Sequence, residues 1–299
     1  MNSRNYSSDP RQAAYDILVV GNGALGLSLG LVLARRGHSV VIVGEEHRPY
    51  GASGAAGAML GCFGEVGPST LTTPFGRAKL QLDYRASREW PTWLESLGEE
   101  SALGNAALLQ TARGTLVIHN TIGHPEIDDD SWSAIRQALQ MFDEPFEEPD
   151  PKEFEWLDPQ PTARPLRAMF IPNEHAVDSG LLLRALEQSL IRAGADLISG
   201  TVQRVTLASG QVCSVELSGE RSVSTRLVVL AAGARSQVLL DTLPDVSSEV
   251  PRLISGPGIA ALLEQSDAAP ALPNVIRTSN RAFACGLHAV PRSDGTVYV

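Results

Sequence analysis

Apolar and polar positions from Asp16 to Glu46, DILVVGNGALGLSLGLVLARRGHSVVIVGEE, switch between two spacings. Ile17 to Val20 is a short, β-branched apolar run of the kind that forms a strand buried on both faces. Leu25, Leu29, Val32 and Leu33 then recur at i, i+4, i+7 and i+8, which predicts a helix with those residues facing inward. Gly30, four residues after Gly26, lets that helix approach a sheet closely. Arg35 and Arg36 suit the helix's last turn and Gly37 its C′ position, and Val40 to Val43 reads as a second buried strand.

The same reading carries down the chain. Lys79 to Leu97 places Leu80, Tyr84, Ser87, Trp90 or Pro91, Trp93, Leu94 and Leu97 on one helical face, with Trp90 and Trp93 as packing residues. Residues 103–118 read as hairpin-like strands, 131–142 as an amphipathic helix capped by Ser131, and 143–161 as a solvated acidic loop. Asp178 or Ser179 caps a helix with Leu181, Leu182, Ala185, Leu186, Ser189 and Leu190 inward, and Gly194 ends it. Strands follow at 196–199, 201–207 and 211–217, the last two joined as a hairpin by Ala208-Ser209-Gly210. RLVVLAAGARSQVLL then repeats strand, Gly233 turn and helix start, and short strands alternate from Pro251 onward.

The chemistry sits at the first junction. Gly21, Gly23 and Gly26 have G-x-G-x-x-G spacing where a strand must end and a helix begin, the signature of a dinucleotide site. Gly21 permits the turn, Gly23 clears the approach to a pyrophosphate, and Gly26 lets the helix pack on the strand. Ala24 opens the helix whose unpaired N–H groups point at the phosphates. The acidic residue expected directly after the second strand is Gly44 instead. Glu45 reaches the ribose hydroxyls if the strand end bulges by one residue; otherwise Glu45 and Glu46 are solvated loop glutamates. The nearly uncharged stretch RPYGASGAAGAMLGCFGEVG is either a loop pressed against a flat or phosphorylated partner or a small-residue helix.

Composition narrows this further. A chain of 299 residues predicts two domains, or one with a large insertion. A net charge of −10 argues against nucleic acid and anionic membranes as partners. Cys62, Cys213 and Cys285 are too scattered for a disulfide framework or a C-x-x-C metal pair, so a reducing, cytoplasmic setting is expected, with no metal. Residues 1–14 are polar and read as a loose arm, and no stretch calls for a membrane span.

The run Gly51-Ala52-Ser53-Gly54-Ala55-Ala56-Gly57-Ala58-Met59-Leu60, at its distance from the first motif, resembles the loop after the second strand in the D-amino-acid oxidase, glycine oxidase and sarcosine oxidase family of flavoproteins. The resemblance implies FAD as cofactor, with Ser53 on the pyrophosphate and Ala55, Ala56, Gly57 and Met59 flanking the flavin. It further implies that Val202 contacts adenine through its backbone and that Ala232 and Gly233 close over the nucleotide. In this family pattern His288 stands where an aromatic residue usually lies near substrate; a histidine with only a packing role is the other reading. The implied architecture is α/β: a Rossmann-like FAD-binding domain of the GR2 type (15–88 and 173–245) and a discontinuous α+β substrate domain on an antiparallel sheet (89–172 and 246–299).

The implied activity is oxidation of an amino acid or amine at its C–N bond. A disulfide reductase would show a close cysteine pair, an aromatic hydroxylase a Gly-Asp turn near Ala231, and a nicotinamide dehydrogenase leaves the Ala-Gly loop unexplained. The family's further stretch returns to the FAD domain and supplies an arginine for the substrate carboxylate. Because the sequence stops at Val299 within a strand-like run, the expectation is a piece of a longer protein, a complementary C-terminal polypeptide and/or homo-oligomer, or a non-catalytic FAD-binding subunit.

Overall fold

The computed structural model describes residues 6–7, 9–10, 14–48, 51–102, 110–120, 125–157, 160–265, 271–280 and 286–299. In chain order the elements open with β1 (Tyr15–Val20), α1 (Ala24–Arg35), β2 (Val40–Gly44), α2 (Ala52–Ala55), β3 (Met59–Leu60), α3 (Pro68–Thr72), α4 (Pro74–Glu100), β4 (Gln110–Asn120), α5 (Pro125–Met141) and β5 (Pro165–Val177). They continue with α6 (Ser179–Arg192), β6 (Asp196–Ser199), β7 (Val202–Ala208), β8 (Gln211–Leu217), β9 (Arg221–Leu230), α7 (Ser236–Leu240), α8 (Pro244–Ser247), β10 (Leu262–Glu264), β11 (Val275–Thr278), β12 (His288–Pro291) and β13 (Thr296–Tyr298). Two compact units result: 1–56, 96–105 and 179–258, and 57–95, 106–178 and 259–299. Most of α4 falls in the second unit, as does the stretch 106–178, while the first unit runs on to Gly258.

The first unit carries a six-stranded sheet of order β6-β2-β1-β9-β8-β7. β6, β2, β1 and β9 run parallel, and β8 and β7 extend the sheet as antiparallel strands. The chain leaves β1 toward β2 on one side and finds β9 on the other, so the order reverses at β1. In such sheets ligands bind outside the carboxyl ends at this point. The 208–210 hairpin turn is as expected, with Ser209 at φ +53° and Gly210 at φ +77° matching a tight primed turn.

Helix α1 turns a different stripe inward from the one its leucines suggest. Gly26, Leu27, Gly30, Leu31 and Ala34 are buried, whereas Leu25 is 73% exposed and Leu29, Val32 and Leu33 are half-buried. The helix is apolar nearly all round, so leucine spacing does not fix its face. The glycines do: a Cβ at Gly30 would lie 2.4 Å from Ile42 Cδ1, so the backbone itself packs on β2. In α6 the same slip puts Leu183 in the core while Leu181 and Leu182 are half-buried.

The N-terminal arm is not loose where it is described. Tyr6 is buried, Ser7 N donates to Leu197 O (2.9 Å), and Ser199 N donates to Ser7 O (3.0 Å) along the open edge of β6. The remaining arm positions (1–5, 8 and 11–13) lie outside the described residues.

The second unit carries a seven-stranded sheet of order β10-β13-β12-β11-β4-β5-β3, antiparallel apart from the β4–β11 pair. Residues 110–118 belong to the single long strand β4, paired with β5, rather than to a local hairpin; 103–109 lie outside the described residues. Ser131 sits inside α5, which begins at Pro125, and its hydroxyl donates to Asn280 O (3.0 Å) instead of capping. Trp132, Ile135 and Leu139 on α5 bury against Val117, Met169 and Ile171 of the sheet. Each such side chain contributes about 1.5–3 kcal/mol of burial.

Candidate functional site

The carboxyl ends of β1, β2 and β9 bring most of the expected cofactor residues together. Gly21 has φ +113°, and a Cβ there would lie 2.4 Å from Ala231 O, so the first turn rests directly on the turn after β9. Gly21 N continues the ladder to Val43 O and Ala231 N to Val20 O, each at 2.8 Å. A Cβ at Gly26 would lie 2.0 Å from Gly21 O, which closes α1 onto its own entry turn. At Gly23 a Cβ would meet Ser53 Oγ at 3.0 Å.

Ser53, on α2, meets the start of α1: the Ala24 N–H donates to Ser53 Oγ at 3.0 Å. That leaves the hydroxyl proton of Ser53 free to donate onward, while other N–H groups of the first helical turn remain without intrahelical partners. Gly54 and Gly233 border open space, and Gly233 takes φ +56° as the chain turns from β9 into α7. Ala232 is half-buried beside them and Ala55 is exposed.

β2 keeps unbroken register with β6 through Gly44↔Ser199, and Glu45 simply follows. The bulge expected at Gly44 is therefore absent, and glycine itself stands there for a steric reason: a Cβ at Gly44 would lie 2.4 Å from Asn22 Cγ. Glu45 Oε1 accepts from Thr201 Oγ1 (2.8 Å) and lies 3.7 Å from Arg235 Nη1. Val202, buried, starts β7 next to Thr201. Asn22, Thr201 and Arg235 carried no sequence signal that set them apart from ordinary polar residues.

The second unit holds Gly57, Met59 and His288. A Cβ at Gly57 would lie 2.8 Å from the Tyr298 ring, and Met59 packs with Ala176, Val290 and Tyr298. His288 stands directly opposite Arg277 across β11–β12, so the two side chains leave one face of the sheet. Burial pushes the His288 pKa down, and its Nδ1 is buried without a hydrogen-bond partner among the described residues.

Two further charges in that unit were not legible as site residues. Glu174 is buried, and its Oε1 accepts the N–H groups of Cys62 (2.8 Å), Phe63 (2.5 Å) and Gly64 (2.9 Å). Burial raises its pKa, and the three amides and Arg277 act against that shift. Arg277 is buried too, donating to Asn280 Oδ1 (2.8 Å) and to Glu65 Oε1 (3.3 Å). Cys62, whose thiol burial pushes up to about 12, is no redox pair with the exposed Cys213; Cys285 lies outside the described residues.

The first unit's site fits a dinucleotide. Its cradle is lined by positions where an added Cβ would meet Ser53 or Ala231, and it offers a hydroxyl and helix amides for phosphate. Among the described residues no helix is long and apolar enough to cross a membrane.

Residues 16–299 match the family model described as DAO, FAD dependent oxidoreductase. The glycine oxidase of Geobacillus kaustophilus (strain HTA426) is 30% identical over 197 residues, covering 62% of this chain. The chain spans 46% of the length of that curated relative. The crystal structure of glycine oxidase from Geobacillus kaustophilus superposes with a TM-score of 0.73 at 22% identity, over 96% of this chain and 70% of the other. Iminodiacetate oxidase from Chelativorans sp. BNC1 does so with a TM-score of 0.69 at 21% identity, over 94% and 70%. These likenesses share the Rossmann-like architecture, and the match over residues 16–299 identifies the chain as a member of the DAO family of FAD-dependent oxidoreductases.

Proposed function

We propose that this chain is the FAD-binding and substrate-binding portion of an oxidoreductase that converts an amino acid or amine to its imine. The reading rests on one observation above all: the glycine turn packed on Ala231, with the Ser53 hydroxyl seated on the first amide of α1. FAD, when bound, would supply the hydride acceptor for the carbon that bears nitrogen, and the resulting imine would be hydrolysed by water.

The chain's own residues bind and orient. Ser53 accepts from Ala24 and donates its proton to a phosphate oxygen, while Gly21, Gly23 and Gly26 keep side chains out of the way. Glu45, held by Thr201, turns to the ribose, and Val202, Ala232 and Gly233 line the adenosine side. Ala55, Ala56, Gly57 and Met59 flank the flavin, and His288 faces substrate as a neutral imidazole, its pKa held down by burial. The first unit is thus the FAD domain and the second the substrate domain. An amino-acid or imino-acid substrate is favoured by the names of the relatives, glycine oxidase and iminodiacetate oxidase. Partners of this reading are a small-molecule amine or amino acid and a complementary C-terminal polypeptide and/or a second copy of the chain, while the net charge of −10 argues against nucleic acid and anionic membranes and the scattered cysteines favour a cytoplasmic setting.

The test is a visible spectrum and an amine panel on the purified protein. Flavin absorption bands and peroxide release or dye reduction with an amino acid support the reading. Ser53→Ala is expected to weaken FAD binding about tenfold, the size of one lost cap and charge-assisted bond. A colourless protein that takes up no FAD on titration overturns it.

A further inference from the structure

Beneath the glycine turn, in the first unit, lies a polar cluster built from four separate parts of the chain. Tyr6 comes from the N-terminal arm, Asn22 from the turn, Arg48 from the segment after β2, and Glu187 from α6. The Tyr6 hydroxyl donates to Glu187 Oε1 (2.8 Å) and accepts from Asn22 Nδ2 (2.9 Å) and Arg48 Nη2 (3.1 Å). Its single donor and both acceptor sites are thereby used. Arg48 Nε donates to the Asn22 carbonyl (2.8 Å), and Arg48 Nη2 forms an ion pair with Glu187. Arg48 has φ +45°, a conformation uncommon for a residue with a side chain.

Asn22 therefore has its amide and its backbone carbonyl both committed, and Nδ2 also donates to Glu45 O (3.0 Å). That side chain occupies the space a side chain at position 44 would need, 2.4 Å from where its Cβ would be. In dinucleotide folds an acidic residue near this strand end usually fixes the ribose. Here the strand ends on glycine, and a neutral amide from the neighbouring turn fills the room.

We infer that Tyr6 is a positioning residue of the nucleotide site: through Asn22 and Arg48 the docked arm fixes the glycine turn against β2, in place of the side chain missing at Gly44. The inference rests on the FAD reading above. Tyr6 is buried and its hydroxyl is committed to protein groups. It acts by holding the turn in the one arrangement that receives the adenosine diphosphate half of the cofactor.

The experiment titrates flavin-free protein with FAD and, separately, with ADP. Tyr6→Phe keeps the ring and removes the hydroxyl, leaving Asn22 and Arg48 each short of a partner. Both affinities are expected to fall about tenfold, and the Gly21 amide, bonded to Val43 O, to exchange hydrogen faster before any ligand is added. Arg48→Lys, which loses the bond to the Asn22 carbonyl, is expected to move both in the same direction and serves if Tyr6→Phe does not fold. The decisive background is Asn22→Ala, which removes the side-chain amide that Tyr6 holds and leaves the backbone carbonyl of that position in place. There Tyr6→Phe is expected to lower ADP affinity clearly less than it does in wild type, because the route through the Asn22 side chain is gone and only the route through Arg48 to the backbone carbonyl at position 22 remains.

A merely structural tyrosine would cost the same in both backgrounds, and that result overturns the inference. So does a Tyr6→Phe protein with unchanged FAD and ADP affinity. Wild-type protein that binds neither ligand overturns the FAD reading itself and this inference with it.

Discussion

At the turn after β1, backbone meets backbone: a Cβ at Gly26 would lie 2.0 Å from Gly21 O, and one at Gly21 would lie 2.4 Å from Ala231 O. In the other unit, by contrast, a guanidinium on β11 and a carboxylate on β5 are buried within the sheet's own packing, Arg277 at 2% exposure and Glu174 at 3%. The first region is built by leaving atoms out, the second by balancing charges taken out of water. A site of the first kind fails when anything is added. A site of the second kind tolerates changes of shape and fails when one charge loses its counterpart.

The largest effect is expected where addition is tried. Gly26→Val introduces three carbons into a space that already lacks room for one, and overpacking of this kind costs about 3 kcal/mol or more. FAD affinity is expected to drop at least about a hundredfold by titration. Gly54→Ala, where an added Cβ meets open space, is expected to stay within about twofold. Equal losses in the two variants would mean that the glycines matter for chain flexibility and not for clearance, and the contrast drawn above would fall.

A smaller loss is expected in the second region. Arg277→Met keeps length and apolar bulk but withdraws the positive charge that faces Glu174 and Glu65. The three amides on Glu174 Oε1 remain, so the expected destabilisation is about 2–3 kcal/mol by urea unfolding, below the cost of an entirely uncompensated buried charge. Arg277→Met combined with Glu174→Gln is expected to recover part of it. An unchanged midpoint in Arg277→Met would show that the buried pair carries no mutual stabilisation.

How much of this was written in the sequence follows the same division. Glycines at fixed offsets between a strand and a helix announce themselves, because few other residues meet the demands of φ and clearance at Gly21 and Gly26. The parallel run of β1 and β2 and the glycine turn after β9 were legible for that reason. The inward face of α1 was not, since leucine spacing in an all-apolar helix says less than the two glycines do. Tyr6, Asn22, Arg48, Glu174 and Arg277 were missed because each acts through partners far away in sequence. Tyr6 and Glu187 lie 181 residues apart, and Glu65 and Arg277 lie 212 apart. Spacing along the chain carries no trace of such pairings.

The smallest effect concerns His288 and is read from pH. Burial holds its pKa below the ordinary histidine value, and the neighbouring Arg277 guanidinium pushes the same way. In the unfolded chain the imidazole takes up a proton near its ordinary pKa of about 6.5, whereas the folded chain resists doing so. Its contribution to stability is therefore complete above that value and is lost as pH falls toward the folded pKa. His175 is shifted the same way by burial and Arg113, so wild-type stability is expected to decline through this window with a slope shared by both residues. His288→Gln is expected to make that slope shallower, by less than the limit of about 1.4 kcal/mol per pH unit set by one proton. In Arg277→Met the His288 share of the decline is expected to begin lower on the scale of steepness and to end at higher pH, because one of the two causes that depress its pKa has gone. If urea midpoints of wild type, His288→Gln and Arg277→Met run parallel between pH 7 and pH 5, then His288 titrates alike in both states, and the buried-charge region reaches no further along the sheet than Glu174 and Glu65.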